Sequence, residues 1–298
     1  MLISPIFYFY DIAMKTLIYD GEYFNVKDTL ECGQIFRFYP YEKGYKVIAA
    51  DKCAYAYNDG DKAVVECDEK DSGFFADFFD VQSDYGAIYN AAIKEGNAVL
   101  SKAATAGKGI RILNQNAAET LFSFIVSQNN NIPRIKGILE RLCAGAGDKK
   151  TSSFGEYYSF PSAAAMAEKD LSFYSGIGLG YRAAYIKRLA DDMSTGKVPE
   201  RFECVNSNEL KNKLLSVYGV GEKVANCVLL FGYKRTESFP VDTWLEKVYR
   251  EDFKGTLKTR GEISAWCSER FGKNAGYFQQ YLFYYKRGEE KSNKTDLK

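Results

Sequence analysis

The sequence predicts an α+β fold, an N-terminal antiparallel β-sheet subdomain followed by a mostly α-helical core. Three observations predict it. Five short runs rich in aromatic and β-branched residues, separated by turn signals, fill residues 15–70. From about residue 72 the apolar residues recur at helical spacing instead. The chain has 298 residues, 46% of them hydrophobic, enough for two or three subdomains around substantial cores.

The elements follow in order. The opening stretch MLISPIFYFYDIA is apolar, but it lacks a basic flank and is broken by Pro5 and Asp11. A signal peptide is therefore not expected, and residues 1–13 read as a misassigned extension ahead of Met14. TLIYDG, IFRFYPY, YKVIAAD, CAYAYNDGD and AVVEC are the five strands, punctuated by DG, KG and NDGD turns. With flanking helices they make a first subdomain, 14–108. The helical core, 109–287, starts at NAAETLFSFIVS (116–127), where Asn116 and Glu119 suggest a capping box. IPRIKGILERLC follows with Pro133 near its start. YRAAYIKRLADDM (181–193) is amphipathic, and Asn206 with Glu209 opens NELKNKLLSVY. Helices are expected over 222–232 and 242–251, and a pair over 261–286. The tail 288–298 is charged and apolar-poor and is expected to fray.

Composition excludes several chemistries. There is no histidine, which removes the commonest general base, the Ser-His-Asp triad and every His metal site. The seven cysteines are unclustered, with no CxxC, so neither a disulfide framework nor a zinc or iron–sulfur site is signalled. No metal and no cofactor are expected. A reduced intracellular compartment fits, cytoplasmic and nucleoid-associated in a prokaryote, with no secretion and no membrane span. Net charge is only +1, yet residues 1–108 hold 11 Lys/Arg against 17 Asp/Glu, and residues 109–298 hold 29 against 22. A basic half of this kind suits a polyanionic partner.

The chemistry concentrates in LLSVYGVGEKVANCVLLFGYKRTESFPVDTWLEKVYR, residues 214–250. It reads helix, tight Gly-Val-Gly turn, helix, loop, Pro-Val-Asp, helix. Gly219 and Gly221 allow a hairpin whose backbone N–H groups point outward at a helix start, a seat for a DNA phosphate that needs no basic side chain. Lys223 lies in the first helical turn, where the dipole disfavours an ammonium and burial disfavours it further, leaving a nucleophilic amine. Asp242 opens the next helix, where a carboxylate can cap N–H groups and stay ionised. Such a charge supports breakage of a base–sugar bond, which builds positive charge on the sugar. Taken singly, each feature has an ordinary explanation: a common turn, a solvated lysine, a helix cap. Their order and spacing are far more specific.

This segment resembles the helix-hairpin-helix (HhH-GPD) glycosylase superfamily, and a lysine at this position resembles its bifunctional branch. Over residues 20–287 the chain resembles the 8-oxoguanine DNA glycosylase family. CGQIFRF (32–38) resembles the family segment in which a glycine carbonyl, here of Gly33, accepts from the extra ring N–H of the oxidised purine. FSFIVSQNNNIPRI (122–135) resembles the asparagine-run segment. The resemblance implies that Asn129 fills the gap left by the flipped base and that Arg134 helps read the orphaned cytosine. GLGYRAAYI (178–186) resembles the segment whose Tyr and Arg, here Tyr181 and Arg182, wedge the duplex and contact cytosine. AGYFQQYLF (275–283) resembles the C-terminal segment, which makes Gln279 the reader of the purine's Watson–Crick edge and Phe283 the ring that stacks on it. Cys227 matches the thiol that packs against the base. The roles fit the chemistry of an extruded purine, which needs an aromatic face, a bidentate amide and a reader of the damaged edge. One departure is Trp244, two residues after Asp242, where animal relatives carry His.

The implied activity is a DNA glycosylase and abasic-site lyase of base excision repair. It would act as a monomer on double-stranded DNA containing oxidised guanine, preferably opposite cytosine. Two rivals remain open. A glycosylase of the same fold acting on alkylated purines or other oxidised bases would separate in excision assays on a lesion panel. A non-catalytic, structure-specific DNA-binding module would bind lesion DNA without turnover.

Overall fold

Three two-residue hairpins organise the N-terminal sheet of the computed structural model, which describes residues 13–204 and 206–295, with side chains as far as 289. The misassigned extension expected at 1–13 lies, but for Ala13, outside the described residues. The strands are β1 (Met14–Asp20), β2 (Phe38–Tyr41), β3 (Gly44–Ala49), β4 (Lys52–Asp59) and β5 (Lys62–Asp68). They pair antiparallel in the order β1-β5-β4-β3-β2. Glu42, Ala50 and Gly60 open the three turns with positive φ, the geometry that matches strand twist. The five expected strands are all present. Between β1 and β2 the sequence reading missed a short helix, α1 (Val26–Glu31), capped by Asn25, whose side chain accepts from the Asp28 N–H.

Helices α2 (Ser72–Phe78), α3 (Tyr85–Lys94) and α4 (Ala98–Ala106) complete this part. Phe75, Phe78 and Phe79 pack with Val47, Ala54, Ala56 and Val65 in a core on one face of the sheet. The other face carries Ile48, Cys53 and Tyr55, covered by Phe154. Phe154 comes from a hairpin of β6 (Lys149–Ser152) and β7 (Gly155–Tyr158) that the sequence did not signal. Its strands are short and exposed, and a long-range contact holds them to the sheet rather than any local pattern.

The helical core comprises α5 (Ala117–Val126), α6 (Ile132–Ala146), α7 (Ala163–Ala167), α8 (Leu171–Gly176), α9 (Arg182–Ser194), α10 (Ser207–Leu215), α11 (Glu222–Tyr233), α12 (Thr243–Lys247), α13 (Arg260–Phe271) and α14 (Ala275–Thr295). The last helix continues to Thr295, past the point at 287 where a frayed tail was expected. Asn116 caps α5 through the Glu119 N–H, but the Glu119 carboxylate does not return the bond. It pairs with Arg37 (3.0 Å) and accepts from the Ala50 N–H (2.7 Å), joining core to sheet. Asn206 likewise caps α10 while Glu209 pairs with Lys213. The one reciprocal capping box described is at α13, Thr259 with Glu262.

One large apolar core runs through the helices and takes in Cys32, Phe36, Tyr85 and Leu100 from the N-terminal part. Helix α14 packs on α4, and the Tyr284 hydroxyl donates to Asp28 at 2.7 Å. The last helix thus closes onto the N-terminal part. Among the described residues, no helix is long and apolar enough to cross a membrane.

Candidate active site

Lys223 is the second residue of α11, which starts at the Gly219–Gly221 turn. Gly219 has φ +86°, and a Cβ there would lie 2.5 Å from the Tyr185 ring, so the position requires glycine twice over. Its carbonyl accepts from Gln128 Nε2 at 2.9 Å. The Val220 N–H turns inward to the Val217 carbonyl at 3.0 Å. The expected outward row of N–H groups is therefore interrupted at Val220, because the turn spends that donor on closing itself. Gly221, with φ −106°, is the N-cap of α11.

The half-buried Lys223 side chain runs back along the C-terminal end of α5. Its Nζ donates to Ser127 Oγ at 3.2 Å and lies 4.8 Å from the Phe124 ring centroid. Ser127 Oγ itself donates to the Phe124 carbonyl, leaving its lone pairs for the amine. Cys227, one turn on, is buried beside Lys223. Burial pushes its thiol up to about 11, against the pull of the lysine charge.

Asp242 is the N-cap of α12. Its Oδ1 accepts from the N–H groups of Trp244 (2.9 Å) and Leu245 (3.0 Å), and neither bond uses Oδ2. Burial raises its pKa above the ordinary 3.8. The Leu245 N–H, the Lys223 charge, the Trp244 N–H and the Arg260 charge all oppose that rise.

Lys223 and Asp242 open into one cavity of about 1240 Å³, shared with Gly33, Phe283, Asn129, Arg134, Gly221 and Trp244. Gly33 has φ +88°, and a Cβ there would come within 3.1 Å of Phe283 Cε1. Its neighbour Gln34 holds it in place. The buried Gln34 amide donates to the Thr29 (2.9 Å) and Arg111 (2.7 Å) carbonyls and accepts from the Leu113 N–H (2.9 Å). Gln279 and Cys227 stand behind the cavity wall rather than on it. Gln279 is 5% exposed; its Nε2 donates to the Pro240 carbonyl at 3.2 Å and its Oε1 accepts from Gln280 at 3.0 Å.

The outer rim carries the remaining expected residues. Tyr181 is 51% exposed and its hydroxyl accepts from Asn129 Nδ2 at 3.2 Å. Asn129 itself has φ +45°. Arg134 reaches the Gly178 carbonyl at 3.2 Å. Arg182, by contrast, is 3% exposed, its guanidinium donating to the carbonyls of Gln128, Asn129 and Leu179. Here it clamps the loop that presents Asn129, instead of standing free at the surface as a base contact would. Sequence reasoning missed Gln34, Ser127, Arg260 and Arg287 as site residues. Ser127 and Gln34 lay inside quoted segments, but nothing in a one-dimensional pattern says which side chain a distant lysine or glycine will meet.

Comparison with known proteins identifies the family. Residues 16–121 match the model of the 8-oxoguanine DNA glycosylase N-terminal domain, and residues 122–272 that of the HhH-GPD superfamily base excision DNA repair protein. A solved structure of MBOgg1 with a low affinity DNA ligand is 34% identical, covers 92% of this chain and 96% of its own, and superposes with a TM-score of 0.85. The Clostridium acetobutylicum 8-oxoguanine glycosylase/lyase, solved with double-stranded DNA containing cytosine opposite 8-oxoG, is also 34% identical. It covers 90% of this chain and 93% of its own, with a TM-score of 0.84. A probable N-glycosylase/DNA lyase of Methanothermobacter thermautotrophicus is 28% identical over 70% of this chain and 72% of its own length. With sheet, hairpin, lysine and aspartate in this arrangement, the chain belongs to the HhH-GPD superfamily of base excision DNA repair proteins, in its 8-oxoguanine DNA glycosylase family.

Proposed function

We propose that the protein excises 8-oxoguanine from duplex DNA, preferably opposite cytosine, and then nicks the strand at the abasic site. The observation that carries this is the Lys223–Asp242 pair opening into the cavity that also exposes Gly33 and Phe283. The lesion is extruded from the helix into that cavity. Lys223 Nζ, as the neutral amine, attacks the anomeric carbon, and the base leaves with the electrons of the glycosidic bond and takes up a proton from the attacking amine. Ionised Asp242 stabilises the positive charge that develops on the sugar. The remaining N–H proton of the amine passes to the ring oxygen as the sugar ring opens to an imine. Removal of a proton from the adjacent sugar carbon then expels the 3′ phosphate. Phe283 stacks on the purine, the Gly33 carbonyl accepts from its N7–H, and Gln279 turns from Pro240 to the Watson–Crick edge, with Cys227 behind. Normal guanine offers the Gly33 carbonyl a lone pair instead of a donor, a difference of about 1–3 kcal/mol.

Tyr181 wedges the duplex, Asn129 fills the gap left by the flipped base, and Arg134 reads the widowed cytosine on the opposite strand. Arg182 supports them from behind through the 128–129 carbonyls, and the Gly219–Gly221 turn holds a backbone phosphate. No metal or cofactor enters the scheme.

Borohydride reduction tests the reading on duplexes bearing 8-oxoguanine opposite each of the four bases. A covalent protein–DNA adduct is expected, formed fastest opposite cytosine and absent in Lys223→Gln. Undiminished trapping in that variant rules out the nucleophile, and equal rates opposite all four bases rule out the cytosine preference.

A further inference from the structure

The proposed base pocket contains a buried polar atom with no hydrogen-bond partner among the described residues. Arg287 follows Phe283 by one turn of α14. Its Nη2 donates to the Glu31 carbonyl at 2.6 Å. Its Nη1 is buried and has no hydrogen-bond partner. That same Nη1 is 3.4 Å from the point a Cβ would occupy on Gly33, and the guanidinium carbon is 5.5 Å from the Phe283 ring centroid. Arg287 also lines the cavity that Lys223 and Asp242 open into.

A buried donor without an acceptor is costly, more so when charged, so a bound ligand that supplies the acceptor gains correspondingly. The pinned Nη2 denies the guanidinium much freedom to swing into solvent, so the acceptor must come to it. On an oxidised guanine the ring N7–H and the eight-position oxygen sit on adjacent atoms. A purine that gives its N7–H to the Gly33 carbonyl therefore brings the eight-position oxygen alongside Gly33, where Nη1 waits. We infer that Arg287 is a specificity-determining residue, whose Nη1 donates a charge-assisted hydrogen bond to the eight-position oxygen of the extruded base; this rests on the base-pocket reading proposed above. Undamaged guanine presents a C8–H at that point and leaves the guanidinium unpaired. Gly33 and Arg287 then interrogate the two atoms that distinguish the lesion, one by accepting and one by donating.

The test compares single-turnover excision of 8-oxoguanine and 8-thioguanine, each opposite cytosine, by the wild type, R287M, R287Q and R287K. Sulfur is the weaker acceptor, so the wild type is expected to favour the oxygen lesion. In R287M and R287Q that preference should shrink by about tenfold or more, the worth of a charge-assisted bond, while R287K retains part of it. Melting curves identify which neutral variant is folded, and either one suffices for the comparison. A folded neutral variant with the wild-type ratio overturns the inference, even if its overall rate is lower. If the wild type leaves 8-oxoguanine intact, the proposed substrate is wrong, an outcome distinct from an unchanged ratio.

Discussion

Asp242 faces two opposed demands. The role proposed for it requires an ionised carboxylate beside a cationic sugar, yet it is buried, and burial raises its pKa. Helix-start N–H bonds and the Lys223 and Arg260 charges hold it toward ionisation. The raised value means that its charge is lost, on acidification, at a higher pH than for an exposed aspartate. Excision should therefore fall as pH drops through that value. Arg260→Met, which removes one stabilising charge, should move this acid limb upward; an unmoved limb in the single-turnover pH–rate profile contradicts the assignment. Stability runs the other way: an acid with a raised folded pKa stabilises the fold below its unfolded pKa, and that contribution is lost as pH rises through the folded value. Asp242→Asn keeps a cap acceptor, so the fold should persist while excision slows by about 10²–10³-fold. Lys223 and Asp242 were legible at this scale as candidates because their residue types at helix starts suit the proposed chemistry, and Gly33 because its segment resembles the family's. Ser127, Arg260 and Arg287 were not, because each matters only through a partner remote in sequence.

At the scale of elements, the Gly219–Gly221 turn does two things. It sets the angle between α10 and α11, and it delivers Lys223 on the first turn of α11. Gly219→Ala forces a Cβ into the Tyr185 ring and a residue with a side chain into positive φ. It should cost about 1–3 kcal/mol and reduce affinity for lesion-free duplex, through a displaced phosphate seat. Denaturant melts and salt-dependent binding isotherms check both effects; a variant with wild-type stability and affinity contradicts them. The longer helices of this core were readable from apolar spacing, Asn caps and glycine breaks, whereas the short α7 and α8 were not read. The capping boxes were read half correctly. Asn116 and Asn206 do cap, but Glu119 and Glu209 find stronger partners in Arg37 and Lys213. The β6–β7 hairpin escaped notice because its strands are stabilised by Phe154 on a distant sheet face and not by their own alternation.

For the whole molecule, the decisive contacts join the sheet to the helices. Arg37 and Glu119 form a buried pair, their side chains 3% and 12% exposed, and Arg37 also donates to the carbonyls of Ala50 and Tyr158. Glu119→Gln leaves the guanidinium charge uncompensated. It should cost about 3 kcal/mol, at the low end for a broken buried pair because the amide can still accept. In a chain of this size that lowers Tm by roughly 5–10 °C in a thermal melt, and an unchanged Tm means the pair does not hold the two parts together. The charge asymmetry between the halves was visible from composition, and it agrees with a DNA-facing helical core.

By itself the sequence determined the five strands of the N-terminal sheet, the longer helices of the core, the hairpin turn and the placing of Lys223 and Asp242 at two helix starts. It could do so because caps, turns and apolar periodicity act over a few neighbouring residues. The tertiary structure decided what shares the cavity with them. Gly33 meets Phe283 and Arg287 is left with an unspent donor because α14 folds back onto the turn after α1, and Lys223 meets Ser127 because α11 packs on α5. Those meetings are set by burial of apolar surface between remote segments, which is non-directional along the chain and leaves no local pattern to read.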